Sequence, residues 1–153
     1  MSFFVEHKTY PYYVGYVRSL TSVPHIHTHL EMIFLCKGEV TVQCDRAEYE
    51  CKTGDLFLAF PNRIHAYRTH GEIEAYVVIF SATLTPLLEK LITGKIPALP
   101  VLTHDKICFN VKKQLSQILQ NKKSEDLYEK LRAMGDFISF LSEVLPLFSY
   151  RED

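Results

Sequence analysis

The 153-residue sequence lacks several features that would point directly to a function. It contains no tryptophan, a residue that often stacks on sugars, although its nine tyrosines and ten phenylalanines could make similar contacts. Its 17 lysines and arginines and 18 aspartates and glutamates leave a formal charge of −1, so it has no basic surplus of the kind that binds nucleic acids. We therefore expect any DNA contact to come from residues outside this sequence.

Signals for export and for membrane insertion are also absent. No apolar run approaches the roughly 18 residues that a transmembrane helix requires, and the opening MSFFVEHKTY does not resemble a signal peptide. We therefore expect a cytoplasmic protein without a membrane partner. The four cysteines, Cys36, Cys44, Cys51 and Cys108, show no CxxC spacing, and three of them lie in strand-like runs. We expect free thiols rather than disulfides or a cysteine metal site.

Between about residue 10 and residue 80 the sequence contains short runs rich in β-branched and aromatic residues. Candidate turns separate these runs: Lys37 with Gly38, Asp45 with Arg46, Thr53 with Gly54, and Gly71. In one run Val40, Val42 and Cys44 alternate with polar residues, which predicts one buried and one solvated face. This spacing predicts an antiparallel barrel or sandwich.

Helical periodicity replaces this pattern after Phe80. The first predicted helix is short and carries Leu84, Leu87, Leu88 and Leu91, with Pro86 in its first turn and Gly94 at its end. In the second predicted helix Val111, Leu115, Ile118 and Leu119 lie on one face. Ser124 is a candidate cap for the third helix. The predicted fold is therefore mainly β with C-terminal helices: a β-barrel followed by a short helix and two longer antiparallel helices. We assign 1–104 to the barrel with its N-terminal arm and short helix, and 105–153 to a helical dimerisation and linker region.

The third helix carries an apolar seam with a heptad-like spacing. Its members are Leu127, Leu131, Met134, Ile138, Leu141 and Leu145. Phe137, Phe140 and Val144 make the apolar surface wider than one neighbouring helix would cover. The pattern fits packing on the barrel and also fits a homodimer interface, and its period does not separate the two.

The segment PHIHTHLEMIFLCKG concentrates the chemistry of the chain. In an unbroken strand His25, His27, His29 and Glu31 would share one face, which continues inward as apolar residues. Imidazoles and a carboxylate at this spacing could hold a divalent transition metal near the mouth of a barrel. They could equally form a polar cluster that bonds to a ligand or within itself.

Two motifs in the sequence resemble those of cupins. His25, His27, Glu31 and Gly38 match the first cupin motif completely, whereas Gly54 and His65 match the second in part, because Phe60 and Asn62 replace its proline and glycine. In metal-bearing cupins the corresponding residues are ligands. The resemblance therefore implies a jelly-roll barrel with a site for Zn, Fe, Mn or Ni at His25, His27, Glu31 and His65, with His29 as a fifth ligand or a rim residue.

The order of barrel, short helix and two longer helices is similar to the sensor and dimerisation half of AraC-type transcription regulators. The resemblance implies a small-molecule site in the barrel under an N-terminal arm, for which Tyr10, Tyr12 and Tyr13 are candidates; these tyrosines could instead pack as an edge strand. It also implies a DNA-binding domain after residue 153, which this sequence lacks. We therefore expect either part of a longer regulator or a stand-alone sensor.

Strand parity extends the predicted ligand site beyond the four cupin residues. Tyr67 shares a face with His65. Further along the chain there are two alternatives: either Val77 lines the site together with Ala75 and Ile79, or the out-of-phase Tyr76 lines it together with Val78. The leading hypothesis is an effector-binding sensor and not an enzyme. The alternative is a small cupin metalloenzyme, such as a dioxygenase or isomerase, which the ligand set would serve.

Overall fold

A computed structural model describes residues 3–5 and 11–153 of the chain. Its strands are β1 (Phe4–Val5), β2 (Tyr12–Val17), β3 (His25–Ile26), β4 (Leu30–Cys44), β5 (Ala47–Lys52), β6 (Leu56–Ala59), β7 (His65–Phe80), β8 (Lys95–Pro97), β9 (Val101–Leu102) and β10 (Tyr150–Glu152). Its α-helices are α1 (Pro86–Ile92), α2 (Val111–Lys123) and α3 (Leu127–Val144). The prediction of a mainly β fold with C-terminal helices is confirmed.

The two long strands β4 and β7 form the spine of the main sheet. They pair antiparallel from Leu30 opposite Phe80 to Cys44 opposite His65. β6, β5 and β2 add to this pair, and the sheet runs in the order β1-β3-β7-β4-β6-β9. Strands β8 and β10 form a separate antiparallel pair beside it.

Two apolar clusters lie on opposite faces of the sheet. The inner cluster joins residues of five strands, including Ile33 of β4, Cys51 of β5 and Val101 of β9, so the sheet curves around it as a barrel. The outer cluster joins the other face to the helices, and in it Phe137 of α3 stacks on Tyr12 with ring centroids 4.7 Å apart. Burial of both layers supplies the hydrophobic driving force for folding.

Two of the predicted turns are wrong. Lys37 and Gly38 lie inside β4, and Gly71 lies inside β7. The register of the β4–β7 pair shifts between Leu35 and Glu39 of β4, which marks a β-bulge. Gly38 has a φ of 103°, and a Cβ there would lie 2.5 Å from the Glu72 carbonyl oxygen. The glycine therefore bends a continuous strand, whereas the predicted turns at Asp45 and Gly54 are confirmed.

The helices form where the sequence predicts them, with two changes of detail. Asp126, not Ser124, caps α3, because its carboxylate accepts hydrogen bonds from the main-chain N–H groups of Tyr128 and Glu129. In α1 the buried residues are Leu88 and Ile92, whereas Leu87 and Leu91 are exposed. Gln114 near the start of α2 bonds to Glu143 near the end of α3, as the predicted antiparallel arrangement requires.

No helix in the described ranges 3–5 and 11–153 combines the length and apolarity needed to cross a membrane.

Candidate metal and ligand site

The start of β7 and the segment around β3 bring the predicted ligand residues together. His25 on β3 lies opposite His65, the first residue of β7, and Glu31 enters from the start of β4. The strand predicted to be unbroken from His25 to Glu31 is interrupted, since β3 ends at Ile26 and β4 begins at Leu30. The four side chains nevertheless converge, and all are buried.

Glu31 lies at the centre of the three imidazoles. Its Oε2 atom is 2.9 Å from His27 Nε2, 3.3 Å from His65 Nε2 and 3.8 Å from His25 Nε2. One ligand atom from each of the four residues lies within 4.8 Å of all the others. This is a compact group of three nitrogens and one carboxylate oxygen, a donor set suited to divalent transition metals.

The main chain fixes the orientation of each imidazole. His25 Nδ1 bonds to the Val23 carbonyl at 3.0 Å, His27 Nδ1 to the His29 carbonyl at 2.9 Å, and His65 Nδ1 to the Arg63 carbonyl at 2.9 Å. A carbonyl can only accept a hydrogen bond, so each Nδ1 carries the proton. Each Nε2 of a neutral ring therefore presents a lone pair toward Glu31.

This arrangement needs a positive charge between its nitrogens and its carboxylate. Lone pairs on Nε2 repel the Glu31 oxygens. A proton on His27, whose Nε2 is 2.9 Å from Oε2, would relieve one of these contacts, whereas protonating all three rings would bury three imidazolium charges beside one carboxylate. A divalent cation held by neutral imidazoles resolves the conflict with less buried charge. His65 Nε2 is buried and makes no hydrogen bond with the described residues, so its lone pair is available to such an ion. The residues present fit a metal ion.

Tyr67 completes the environment of Glu31. Its hydroxyl donates a 2.6 Å hydrogen bond to Glu31 Oε1, which leaves Oε2 to face the histidines. Burial, together with the charge of Glu31, raises the pKa of Tyr67 well above its ordinary value, so the phenol stays a donor. Burial alone would raise the pKa of Glu31, but the positive charge that the imidazoles of His25, His27 and His65 can carry beside Oε2 outweighs burial and holds that pKa well below its usual range.

The structure separates the two alternatives for the rest of the lining. Ala75 belongs to the inner cluster and Val77 packs against it, as Tyr67 does on the same strand. Tyr76 and Val78 belong to the outer cluster beneath the helices. The prediction of Tyr76 as a ligand-binding residue is therefore not supported, because alternate residues of β7 face opposite sides of the sheet.

Sequence reasoning missed Phe57 as a wall of the site. Its ring centroid lies 6.3 Å from that of His65 and 5.8 Å from that of Tyr67. The run Leu56–Ala59 is apolar at every position and buried on both faces, so no alternation in the sequence reveals which residues point inward. His29 lies outside the four-residue group, and its carbonyl orients His27.

The N-terminal arm is described only in part. Tyr10 lies outside the described residues, whereas Tyr12 is buried in the outer cluster, as the edge-strand alternative predicts. Tyr13 is partly exposed, and its hydroxyl occupies the space above Gly15. The backbone of β1 pairs with β3, where Phe4 lies opposite His25, so the arm runs beside the histidine cluster.

The apolar seam of α3 divides into two parts. Leu127, Leu131, Met134 and Ile138 are exposed on the surface of the molecule. Leu141 and Leu145 are buried in the outer cluster, so their assignment to a dimer interface is not supported by the structure. The core-facing side of α3 is formed by Ala133, Phe137, Phe140 and Val144.

Comparison with known proteins adds a family to this geometry. Residues 7–135 match the family described as the AraC-like ligand binding domain, a range that includes all four members of the histidine and glutamate cluster. The chain belongs to this family. In this AraC-like ligand-binding domain the matched range also extends through α2 and half of α3. No curated protein matches the sequence.

Solved structures show partial likenesses to this AraC-like domain. A cupin 2 conserved barrel domain protein from Salinispora arenicola is 18% identical over 54% of this chain and 73% of that chain, with a TM-score of 0.42. A cupin-like protein from Thermotoga maritima is 18% identical over 50% of this chain and 62% of that chain, with a TM-score of 0.43. An oxalate decarboxylase variant from Bacillus subtilis is 18% identical over 44% of this chain and 18% of that chain, with a TM-score of 0.34. Scores of this size carry no argument about function.

Proposed function

We propose that this domain is the effector-binding and dimerisation domain of an AraC-type transcription regulator in the cytoplasm, controlling DNA binding by a separate domain. The buried cluster of His25, His27, Glu31, His65 and Tyr67 at the end of an apolar barrel carries the proposal. Such a site combines apolar walls with a few convergent polar groups, which is the usual composition of a small-molecule site. Membership of the AraC-like ligand-binding family supports this role.

A ligand screen by thermal shift tests the effector role. Small molecules that raise the unfolding temperature of the wild-type domain would then be titrated into Tyr67→Phe and Tyr76→Phe variants. Tyr67 faces the cluster and Tyr76 faces the helices, so the pair removes the same hydroxyl from opposite sides of one strand. We expect the affinity to fall at least tenfold in Tyr67→Phe and to be unchanged in Tyr76→Phe. Equal affinities in the two variants would place the ligand elsewhere.

We further propose that the cluster binds one divalent transition metal ion, Zn, Fe, Mn or Ni. His25, His27, Glu31 and His65 would hold the ion, which would supply a Lewis-acidic centre for a ligand oxygen or nitrogen. The three carbonyls that hold Nδ1 keep the imidazoles in their ligating tautomer, and Tyr67 holds the free carboxylate oxygen of Glu31.

Metal titration with a thermal readout tests this assignment. An ion at about 100 times its dissociation constant stabilises a protein by about 2.7 kcal/mol, which corresponds to roughly 5–10 °C for a domain of this size. We expect this shift in the wild type and its loss in Glu31→Gln, which keeps the shape of the side chain without its charge. Equal shifts in both proteins would show that the ion binds at another site.

A catalytic role for the same cluster is the second candidate function. Three histidines and one glutamate around a single point leave room for a metal to bind substrate, and this donor set favours a cupin dioxygenase or isomerase over a purely structural polar cluster. Metal-loaded protein incubated with an effector found in the screen distinguishes the two functions. Recovery of the effector unchanged supports a sensor, and its turnover supports the enzyme.

A further inference from the structure

A cleft of about 260 Å³ opens in the side of the barrel, beyond the end of β6. It lies where the β4–β5 turn, the segment before β7 and the β8–β10 pair meet. The residues that line it include Arg46, Tyr49, Phe60, Arg63, Ile96 and Arg151. Its volume lies just below the range of about 300–1,000 Å³ typical of pockets for drug-sized ligands, so it suits a smaller molecule.

The inner wall of the cleft is shared with the barrel interior. Cys44 is the register partner of His65, and Ala59 is the register partner of Glu31. Directly paired residues point to the same face of a sheet, so Cys44 and Ala59 face the same interior as the cluster residues. Both contact the inner apolar cluster and both line the cleft. Cys44 and Ala59 therefore form a wall of the cleft and are paired with two of the proposed metal ligands, His65 and Glu31.

The cleft is positively charged, although the chain as a whole is not. Three arginines and one aspartate line it. Arg63 is held by two carboxylates, at 3.4 Å from Asp45 and in a direct contact with Asp153. Arg46 and Arg151 form no ion pair with any residue in the described ranges, so their guanidinium groups remain available to a ligand. Guanidinium groups bind carboxylates through paired hydrogen bonds.

The remaining walls are apolar. Phe60, Ile96 and Pro100 offer carbon surface, and Tyr49 packs against the inner cluster from the cleft side. A ligand that fills this space therefore meets carbon on its body and guanidinium at its charged end. A fully polar anion would leave these walls uncovered, and a neutral apolar molecule would leave the arginines without a partner.

We propose that this cleft is a second binding site, separate from the histidine cluster, for a small organic carboxylate with an apolar body, and that Arg46 and Arg151 bind its carboxylate. The inference goes beyond the proposed effector site, because none of the five residues of that site lines the cleft. The apolar body lies along Tyr49, Phe60 and Ile96, directed to the inner wall at Cys44 and Ala59. Binding there would place the carboxylate ligand beside the strands that carry Glu31 and His65.

Matched pairs of acids and amides test the proposal on the intact domain. Phenylacetate is compared with phenylacetamide, and cyclohexanecarboxylate with cyclohexanecarboxamide, by calorimetry or ligand-observed NMR. We expect each acid to bind the wild type at least tenfold more tightly than its amide, with a preference that decreases as salt increases. The double variant Arg46→Gln with Arg151→Gln should lose this preference.

A second double variant, Arg18→Gln with Arg68→Gln, is the control for net charge. Both arginines are exposed and lie outside the cleft. Within the described part of the chain they form only long surface ion pairs, with Glu74 and Glu48. It should keep the preference for acids. Equal binding of acids and amides, or a preference that survives the loss of Arg46 and Arg151, would overturn the carboxylate proposal.

The outcomes also separate this inference from the proposed function. Screen compounds that bind in a Tyr67-dependent manner, together with equal binding of the matched acids and amides, would leave the effector-binding function standing and reject the carboxylate site. Absence of binding by every acid and amide would reject the proposed carboxylate site. If the wider ligand screen is also empty, the effector-binding function fails with it.

Discussion

At the scale of single residues, main-chain carbonyls orient the three imidazoles of the cluster. The carbonyls of Val23, His29 and Arg63 each bond to a histidine Nδ1, which directs Nε2 at Glu31. Side-chain identity at 23, 29 and 63 therefore matters less to the cluster than the backbone path at those positions. This explains why no sequence motif identifies the groups that set the geometry.

The hydroxyl of Tyr67 should contribute measurably to stability. In Tyr67→Phe the buried Glu31 loses its donor at Oε1, and hydrogen bonds to charged groups are worth about 1.5–3 kcal/mol. We expect a loss of that size in the free energy of unfolding, measured by urea denaturation. Tyr76→Phe is the buried control, since its hydroxyl makes no side-chain hydrogen bond to the described residues. An equal loss in both variants would contradict a specific role for the Tyr67 hydroxyl.

The cysteines should react with thiol reagents in a fixed order. Burial raises the pKa of Cys44 and of Cys51 to about 12, so almost no thiolate forms at pH 8 while the protein is folded. Cys108 is exposed, and we expect it to react first with dithiobis(nitrobenzoate).

Cys44 and Cys51 should react only after denaturant is added, because unfolding returns their pKa to the ordinary value. A Cys108→Ser variant should lose the fast phase, and fast reaction of Cys51 in the folded wild type would show that β5 opens readily.

The four ligand residues could be predicted because their spacing is a property of the sequence itself. His25, His27, Glu31 and His65 come together as the cupin motifs imply. The choice between Val77 and Tyr76 could not be made from the sequence, since β7 is apolar on both faces from Ala75 to Phe80. Only the packing of the helices on one face decides which of the two residues points into the barrel.

At the scale of elements, α3 presents apolar residues on two sides. One side packs on the barrel through Phe137 and Phe140, and the other exposes Leu131, Met134 and Ile138. A helix that is apolar beyond its buried face favours contact with a second molecule. Packing on the barrel and a dimer, the two alternatives left open by the sequence, would therefore use different residues of the same helix.

Charge introduced on the exposed side should dissociate a dimer without unfolding the domain. We expect Leu131→Asp and Ile138→Asp to sediment as monomers at concentrations where the wild type is dimeric. Leu87→Asp on α1 is the control, because Leu87 is also an exposed leucine but lies on another helix. A wild type that sediments as a monomer would reject the dimer, and aggregation of the α3 variants would indicate a role in folding.

The long strands β4 and β7 show why the turn predictions failed. A glycine beside polar residues is typical of a tight turn, and Gly38 and Gly71 both have a positive φ. In a barrel the same conformation also serves a bulge, which bends a strand and keeps its pairing. Local sequence does not distinguish a strand that reverses from one that bends, because the difference is made by the partner strand.

At the scale of the whole molecule, barrel and helices share one core. The outer cluster runs from Tyr12 and Phe80 on the sheet to Leu115 and Phe137 on the helices. It therefore crosses the predicted boundary at residue 104. The division into a barrel region and a helical region stays a prediction about function, since the packing joins the two.

The shared core should make unfolding a single event. Phe137 is buried between the rings of Tyr12 and Phe80, so Phe137→Ala should cost about 3–5 kcal/mol. We expect far-UV circular dichroism and tyrosine fluorescence to report one shared unfolding transition. The free energy of unfolding should be lower by that amount in the variant. Separate transitions for the two probes would mean that barrel and helices unfold independently.

The contact between Arg63 and Asp153 has a mechanical consequence. β10 is paired with β8, the Asp153 main-chain N–H bonds to the Gly94 carbonyl, and the Asp153 carboxylate contacts Arg63. The carbonyl of the same Arg63 holds the ring of His65, two residues further along. Any polypeptide joined to Asp153 would therefore leave the domain in a direction set by the barrel. Its attachment point is held by Arg63, the same residue whose carbonyl orients His65.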